Sequence, residues 1–346
     1  VRWFEAVQGH GRAKEVLARA VERGRVPPSI MIVGRDGSGR FLLARELAKA
    51  LNCRGPGGAV RPCGACAPCR KIDAGTHPDF ARLAPEDGKA AIGINQVREL
   101  LDELALAPVE ALRRVFVVDP ADALTEDAQN ALLKALEEPP PRAHLVLVAR
   151  HEAALLRTIA SRCFILALGE LETDDVVRVL EAKGVAPDEA RTRAAWSGGS
   201  AGVALRPRHL ERIASAQALI QAVAGGEAQR NPLGVAAELV SKAAPKNAEA
   251  PARREGALEV TDLLGRALRD ALDRATRPDA RSLSGADGAI VAKLAGAGPE
   301  RLARALDAVQ KVEAAIADNQ NVNLALEGLV LDVSGALLRE PVHGRR

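Results

Sequence analysis

Between residues 29 and 168, short apolar runs alternate with segments whose apolar residues recur at helical spacing. The runs are Ile30-Met31-Ile32-Val33, Asp79–Ala84, Arg113–Asp119, Leu145–Ala149 and Phe164–Leu168. Each is short and bounded by turn or charged positions, and Arg113–Asp119 is a β-branched run ending on an acid, which predicts buried strands. Helices are predicted over His10–Arg23, Arg40–Leu51, Ile94–Ala105, Thr125–Glu138 and Glu152–Ile159. In Arg40–Leu51 the stripe is Leu42, Leu43, Leu47 and Leu51; in Ile94–Ala105 it is Val97, Leu100, Leu101 and Leu104. Strand and helix in regular alternation predict an α/β fold, a parallel sheet with helices on both faces. Beyond residue 169 the strand pattern stops. Leu171–Ala182 and Asp188–Ser197 are predicted helices, and from His209 onward every periodic segment is helical: 209–224, 233–243, 254–275, 285–296, 299–317 and 322–338. The expected division is therefore 1–168, a small helical unit at 169–207, and an all-helical part at 208–346 with a frayed tail at Pro341–Arg346.

One stretch breaks the pattern. Residues 52–71, NCRGPGGAVRPCGACAPCRK, are punctuated by Gly and Pro and show neither period. They hold four of the five cysteines, Cys53, Cys63, Cys66 and Cys69, spaced C-x₉-C-x₂-C-x₂-C. A segment without an apolar core needs another source of order, and a tetrahedral zinc held by four thiolates supplies one. Four protein thiolates leave no open position for water, so the expected metal is structural. Arg54, Arg61, Arg70 and Lys71 are expected to offset the thiolate charge.

Composition narrows the function classes. The 346 residues are 47% hydrophobic, 27% charged and carry a net charge of +3. That is an ordinary globular balance, and the small net charge allows contact with nucleic acid without arguing for a dedicated binder. With five Phe, two Trp and no Tyr, a base-stacking platform for single strands is disfavoured. No apolar run approaches the roughly 20 residues of a membrane helix, and the first residues have no apolar signal core. The expected place is the cytoplasm, with no membrane partner.

The densest chemical signal follows the first strand. Gly34-Arg35-Asp36-Gly37-Ser38-Gly39 joins a strand directly to a helix, the context of a phosphate-binding loop. Gly34, Gly37, Ser38, Gly39 and Arg40 are the candidate nucleotide residues. The pattern G-x-x-x-x-G-K-[ST] is incomplete, because Arg40 and Phe41 stand where Lys and Ser or Thr are required. ATP or ADP could still meet the loop's N–H groups. Asp119 ends the clearest strand, where such proteins hold Mg²⁺; it reads equally as a strand-end turn residue, since Pro120 follows.

Several separate stretches together resemble the AAA+ clamp-loader proteins of bacterial DNA polymerase III. They are the loop Gly34–Arg40, the four-cysteine insert, VFVVDPADALTEDAQNALLKALEEPP at 115–140, Ser161-Arg162-Cys163, and NQNVNLALEGLVLDV at 319–333. The resemblance implies a RecA-like AAA+ domain, a helical lid and a helical collar that holds subunits together. It implies gamma/tau and delta subunits as partners, and a sliding clamp loaded onto primed DNA. In that family a hydrolysing gamma/tau subunit should keep Lys at 40, Ser or Thr at 41 and Glu at 120; this chain has Arg40, Phe41 and Pro120. The expectation is a non-hydrolysing member. Arg162 matches the family's arginine finger, which reaches the γ-phosphate held by a neighbour; a guanidinium suits that task. Cys163 is then expected to be a packed side chain. Two other readings stay open: an active ATPase with Arg40 in place of lysine, and a free-standing zinc-dependent nucleic-acid-binding protein.

Overall fold

Five strands form one parallel sheet: β1 (Ser29–Val33), β2 (Phe80–Leu83), β3 (Arg114–Val118), β4 (Ala143–Ala149) and β5 (Phe164–Ala167). This is a computed structural model that describes residues 2–55, 60–245, 247–277, 284–318 and 320–338. Asn319 and the tail Pro341–Arg346 lie outside the described residues. The strand order is β2-β3-β4-β1-β5, so the first strand lies inside the sheet between β4 and β5. Its register pairs Met31 with Leu147 on one side and with Ile165 on the other.

Every residue of β1, β3 and β4 is buried, as a strand covered on both faces requires. Alternation sends their side chains into two separate cores. Ile30, Ile32, Val115, Val117, Val146 and Val148 pack with Leu17 of α1 (Gly11–Glu22) and with Leu43 and Leu47 of α2 (Arg40–Asn52). Met31, Val33, Phe116, Val118, Leu145 and Leu147 face the other way. There they meet Val97, Leu132 and Ile159 from α4 (Ile94–Leu104), α5 (Glu126–Glu137) and α6 (Arg157–Ala160). Thr125 caps α5 by accepting from the Ala128 N–H at 3.3 Å. Glu126 and Asp127 occupy its first turn, where the helix dipole favours negative charge.

Two local elements were not expected. The cysteine segment contains a helix, α3 (Ala67–Asp73), with Pro68 in its first turn. Val60–Arg61 pairs in parallel with Arg2–Trp3 as a two-stranded ribbon. Both are too short to show a period. The expected helix Glu152–Ile159 is instead a 3₁₀ turn at Glu152–Ala154 followed by α6.

The chain forms two compact units, Val1–Lys183 with Gly199–Gly202, and Gly184–Gly198 with Val203–Arg346. The first holds the sheet and, at its end, α7 (Thr173–Ala182). In the second, α11 (Ala250–Thr276) is the central element. Ala257, Val260, Leu264, Ala267, Leu268 and Ala271 on α11 are buried among the neighbouring helices. Those neighbours are α9 (His209–Gly225), α10 (Pro232–Ala243), α12 (Gly288–Ala295), α13 (Pro299–Ala317) and α14 (Val322–Leu338); α8 (Pro187–Trp196) also belongs to this unit. Gly256 lets α11 approach the end of α10, since a Cβ there would lie 2.2 Å from the Ala243 carbonyl oxygen. Glu259, also on α11, is buried with His209, Arg206 and Arg212. Burial opposes its charge, but His209 and Arg212 outweigh that and hold its carboxyl below the usual range. Among the described residues no helix is long and apolar enough to cross a membrane.

Candidate nucleotide loop and cysteine centre

The glycine loop starts at the carboxyl end of β1, inside the sheet, where open α/β sheets place their ligands. The Gly34 N–H donates to the carbonyls of Ala149 (3.3 Å) and Arg150 (3.1 Å). A Cβ at Gly34 would lie 2.8 Å from the Leu168 carbonyl oxygen, so no larger residue fits. Gly37 and Gly39 have φ of 73° and 92°, left-handed values that favour glycine.

Three carbonyls of the loop are tied down from outside. Ser200 Oγ donates to Asp36 O at 2.7 Å, and the Gly202 N–H donates to Gly37 O at 2.9 Å. His10 Nε2 donates to Ser38 O at 2.8 Å. Because the partner is a carbonyl, that nitrogen carries the proton; burial keeps the ring's pKa below its ordinary value. In a trans peptide the C=O and the next N–H point in opposite directions. Tying these carbonyls therefore turns the N–H groups of Gly37, Ser38 and Gly39 the other way. The Ser38 N–H closes back on Arg35 O at 3.2 Å.

The side chains around the loop are committed differently. Arg40, only 8% exposed, donates from Nη2 to Asp36 Oδ1 at 2.6 Å, within its own loop. Its Nη1 is buried without a hydrogen-bond partner, which leaves one charged donor available to an anion. Asp119, also 8% exposed, sits at the end of β3 with Oδ2 2.7 Å from Arg82 Nη2. The Arg82 guanidinium lies over the Phe41 ring, 4.5 Å from its centroid. Burial pushes the Asp119 carboxyl above its ordinary pKa, while Arg82 and Arg40 oppose the shift. The position that should supply a metal-binding hydroxyl thus supplies an aromatic face. That face carries an arginine, and the arginine occupies the carboxylate that should receive the metal. Glycine loop, Arg40 and Asp119 do converge, as expected. Arg82 was not anticipated, although its outward place in the alternating β2 run, Phe80-Ala81-Arg82-Leu83, is readable.

Arg162 lies between α6 and β5, exposed. Its Nε and Nη2 both reach Glu137 Oε1, at 2.9 and 2.6 Å. Its Nη1 donates to Thr158 O at 2.9 Å. Glu137 closes α5, so the guanidinium is held by a carboxylate of its own chain. Cys163 beside it is half-buried, and burial pushes its thiol up to about 11, as suits a packed rather than a nucleophilic group.

The four cysteines come together although they span 17 positions, from Cys53 after α2 to Cys69 inside α3. Their Sγ atoms all lie within 4.8 Å of one another. A tetrahedron with bonds of about 2.3 Å has its sulfurs about 3.8 Å apart, so the set could hold a metal ion. The backbone is arranged for thiolates. The Cys63 N–H donates to Cys53 Sγ at 3.4 Å, and the Cys66 N–H to Cys63 Sγ at 3.3 Å. A Cβ at Gly55 would meet Cys63 Sγ at 2.6 Å, so glycine is required there too. Burial disfavours the Cys63 thiolate, but N–H donors from Cys66 and Ala65 outweigh it and bring that thiol to about 6. Burial raises the pKa of Cys69, and its cysteine neighbours add to the shift. Four sulfurs this close do not ionise together without a cation between them. Two of the four basic residues expected to offset their charge are engaged elsewhere: Lys71 pairs with Glu110 at 2.6 Å, and Arg54 donates to the Glu110 carbonyl.

Comparison with known proteins agrees with this geometry. Residues 9–172, 164 of the 346, match the family model described as DNA polymerase III, delta subunit. The chain is 39% identical over 141 residues to DNA polymerase III subunit delta' of Yersinia pestis, covering 41% of each chain. It is 31% identical over 191 residues to the delta' subunit of Bacillus subtilis, covering 55% of this chain and 57% of that one. It is 33% identical over 178 residues to the tau subunit of Escherichia coli, covering 51% of this chain and 27% of tau. The chain thus spans about half the length of the delta' relatives it matches.

The Arg82–Asp119 contact has a measurable signature. In the Arg82→Ala variant a buried carboxylate loses its nearest cation, and urea unfolding should show a loss of about 1–2 kcal/mol. Adding Asp119→Asn to that variant should recover most of the loss, because a neutral amide needs no cation. Additive losses in the double variant would show that the pair is not coupled.

Proposed function

We propose that this chain, whose residues 9–172 match the family model described as DNA polymerase III, delta subunit, is a delta-prime-like clamp-loader subunit that does not hydrolyse ATP itself. The observation that carries the reading is the closed set Phe41, Arg82 and Asp119 beside an otherwise complete glycine loop. Phosphoryl transfer depends on a metal ion and a positioned water. Here the metal's carboxylate is paired with Arg82, the hydroxyl ligand is Phe41, and the water-positioning acid is Pro120. Binding is a separate matter. The loop amides and the spare Arg40 nitrogen retain chemistry for a phosphate, so ADP or ATP can be held without turnover.

In this reading residues 1–168 are the AAA+ module, 169–207 the lid and 208–346 the collar that joins gamma/tau and delta subunits. The assembly loads the sliding clamp onto primed DNA in the cytoplasm. The useful residue of the module is Arg162, offered to ATP on a neighbouring gamma/tau subunit. At rest Glu137 holds it; on assembly the γ-phosphate replaces that carboxylate as its partner. The four cysteines hold one structural zinc, whose thiolate ligands fix α3 against the end of α2.

Reconstitution of the complete assembly tests the arginine. Arg162→Ala should leave assembly intact while reducing turnover at the neighbouring site by about 10³-fold or more. Arg162→Lys should not restore it, since an ammonium cannot hold two phosphate oxygens at once. Undiminished DNA-stimulated ATPase in the Arg162→Ala assembly would remove the finger assignment. For the cysteines, metal analysis of the purified chain should find one zinc per chain. Cys66→Ser/Cys69→Ser should abolish it and lower the melting temperature. Full-length chain that is metal-free and equally stable would contradict the structural role.

A further inference from the structure

At the opposite edge of the sheet from the glycine loop, the amino ends of β1, β3 and β4 surround a cavity of about 660 Å³. That volume lies within the roughly 300–1,000 Å³ usual for small-molecule sites. Its polar lining is Arg61, Arg113, Arg142 and His144. No carboxylate lines it, and Pro56–Ala59, outside the described residues, carry no charged side chain. Several arginines elsewhere in this unit are paired, Arg40 with Asp36, Arg82 with Asp119, Arg114 with Asp79, Arg150 with Asp122 and Arg162 with Glu137, while exposed ones such as Arg12, Arg23 and Arg98 are not. The three around the cavity make no ion pair and no side-chain hydrogen bond with any described residue. His144 donates from Nδ1 to the Pro27 carbonyl at 3.0 Å, so it adds no negative charge.

Three guanidinium groups around one hollow repel each other, and among the described residues Cys53 of the cysteine cluster is the one lining group that can carry a negative charge. The fold also holds one of the arginines in an uncommon backbone state. Arg142 has φ of 61°, a left-handed value seldom taken by residues other than Gly, Asn and Asp. The turn is fixed on both sides, by the Arg114 N–H donating to Arg142 O at 2.9 Å and by the Ala143 N–H donating to Pro140 O at 3.2 Å. Such strain persists where the surroundings over-determine it and clusters at ligand sites. Val26, Leu51 and Leu112 add an apolar wall.

We infer that this cavity is a second anion site, distinct from the glycine loop, and that it takes a nucleoside polyphosphate. The phosphates lie among Arg61, Arg113 and Arg142, whose planar forks match phosphate oxygens. The base lies against the apolar wall. An inorganic polyanion uses only the first half of this lining.

Calorimetric titration of the full chain with ADP tests the site. The Arg142→Gly substitution keeps the left-handed turn and removes the guanidinium; Arg113→Gln removes the second. The double variant should lose ADP affinity at least tenfold, with unchanged metal content and melting temperature. Arg40→Gln, at the glycine loop, should leave this binding event unchanged. Pyrophosphate should bind at least tenfold more weakly than ADP, and a single-stranded oligonucleotide should not displace ADP. As a readout that needs no variant, ADP should protect Arg113 and Arg142 of the wild-type chain from phenylglyoxal. The inference is overturned if, in the Arg40→Gln background, no ADP-binding event remains that the double substitution weakens, or if the arginines are left unprotected. Pyrophosphate matching ADP, or DNA displacing it, would equally overturn the nucleotide assignment.

Discussion

The pairing of β1 with β4 is the constraint on which the first unit depends. Both strands are buried on both faces, so their register decides which side chains enter which core. With Met31 opposite Leu147, Ile30 and Ile32 join the core under α1 and α2, while Met31 and Val33 join the core under α4 and α5. A slip of one residue would exchange these sets and leave neither core packed. The same register sets where the chain leaves the sheet. Gly34 emerges at the carboxyl edge, Asp119 emerges there from β3, and the Gly34 N–H is spent on the turn after β4. A phosphate loop and a strand-end carboxylate meet because the sheet leaves them no other place.

Given that scaffold, the chemistry is decided by what each charge is paired with. In a hydrolysing site the loop cation and the strand-end carboxylate stay available to phosphate and metal. Here Arg40 turns to Asp36 and Asp119 turns to Arg82, with Phe41 supporting Arg82 from below its guanidinium plane. The departure at 41 is therefore not an isolated one. Phe41 gives Arg82 a surface, and Arg82 gives the buried Asp119 a partner. Removing a metal ligand alone would have left a buried carboxylate without compensation. The site is internally paired as a closed arrangement.

Much of this was legible in the chain. The five strands and the long helices follow from periodicity because each is buried on a regular face, and the cysteine spacing anticipated a cluster that the sulfur positions match. What escaped were pairings between distant residues. Arg82 and Asp119 are 37 positions apart, Arg162 and Glu137 are 25 apart, and Ser200 reaches back 164 positions to Asp36. No local pattern announces such contacts, since an arginine on an outward strand position reads the same whether solvated or paired. Helix α3 escaped because a seven-residue helix beginning at Ala67-Pro68 and ordered around a cysteine shows no apolar period. The three unpaired arginines escaped for a similar reason. They come from a ribbon, a strand start and a tight turn that only the folded sheet edge brings together.

The account rests on the claim that this glycine loop is built but chemically closed. Steady-state Mg²⁺–ATP hydrolysis by the isolated, purified chain is the most direct measurement of it. The closed arrangement of Phe41, Arg82 and Asp119 should give no turnover above a protein-free control, with or without primed DNA. Turnover by the isolated chain that disappears in Asp119→Ala would contradict it, because Asp119 would then be holding a metal rather than an arginine.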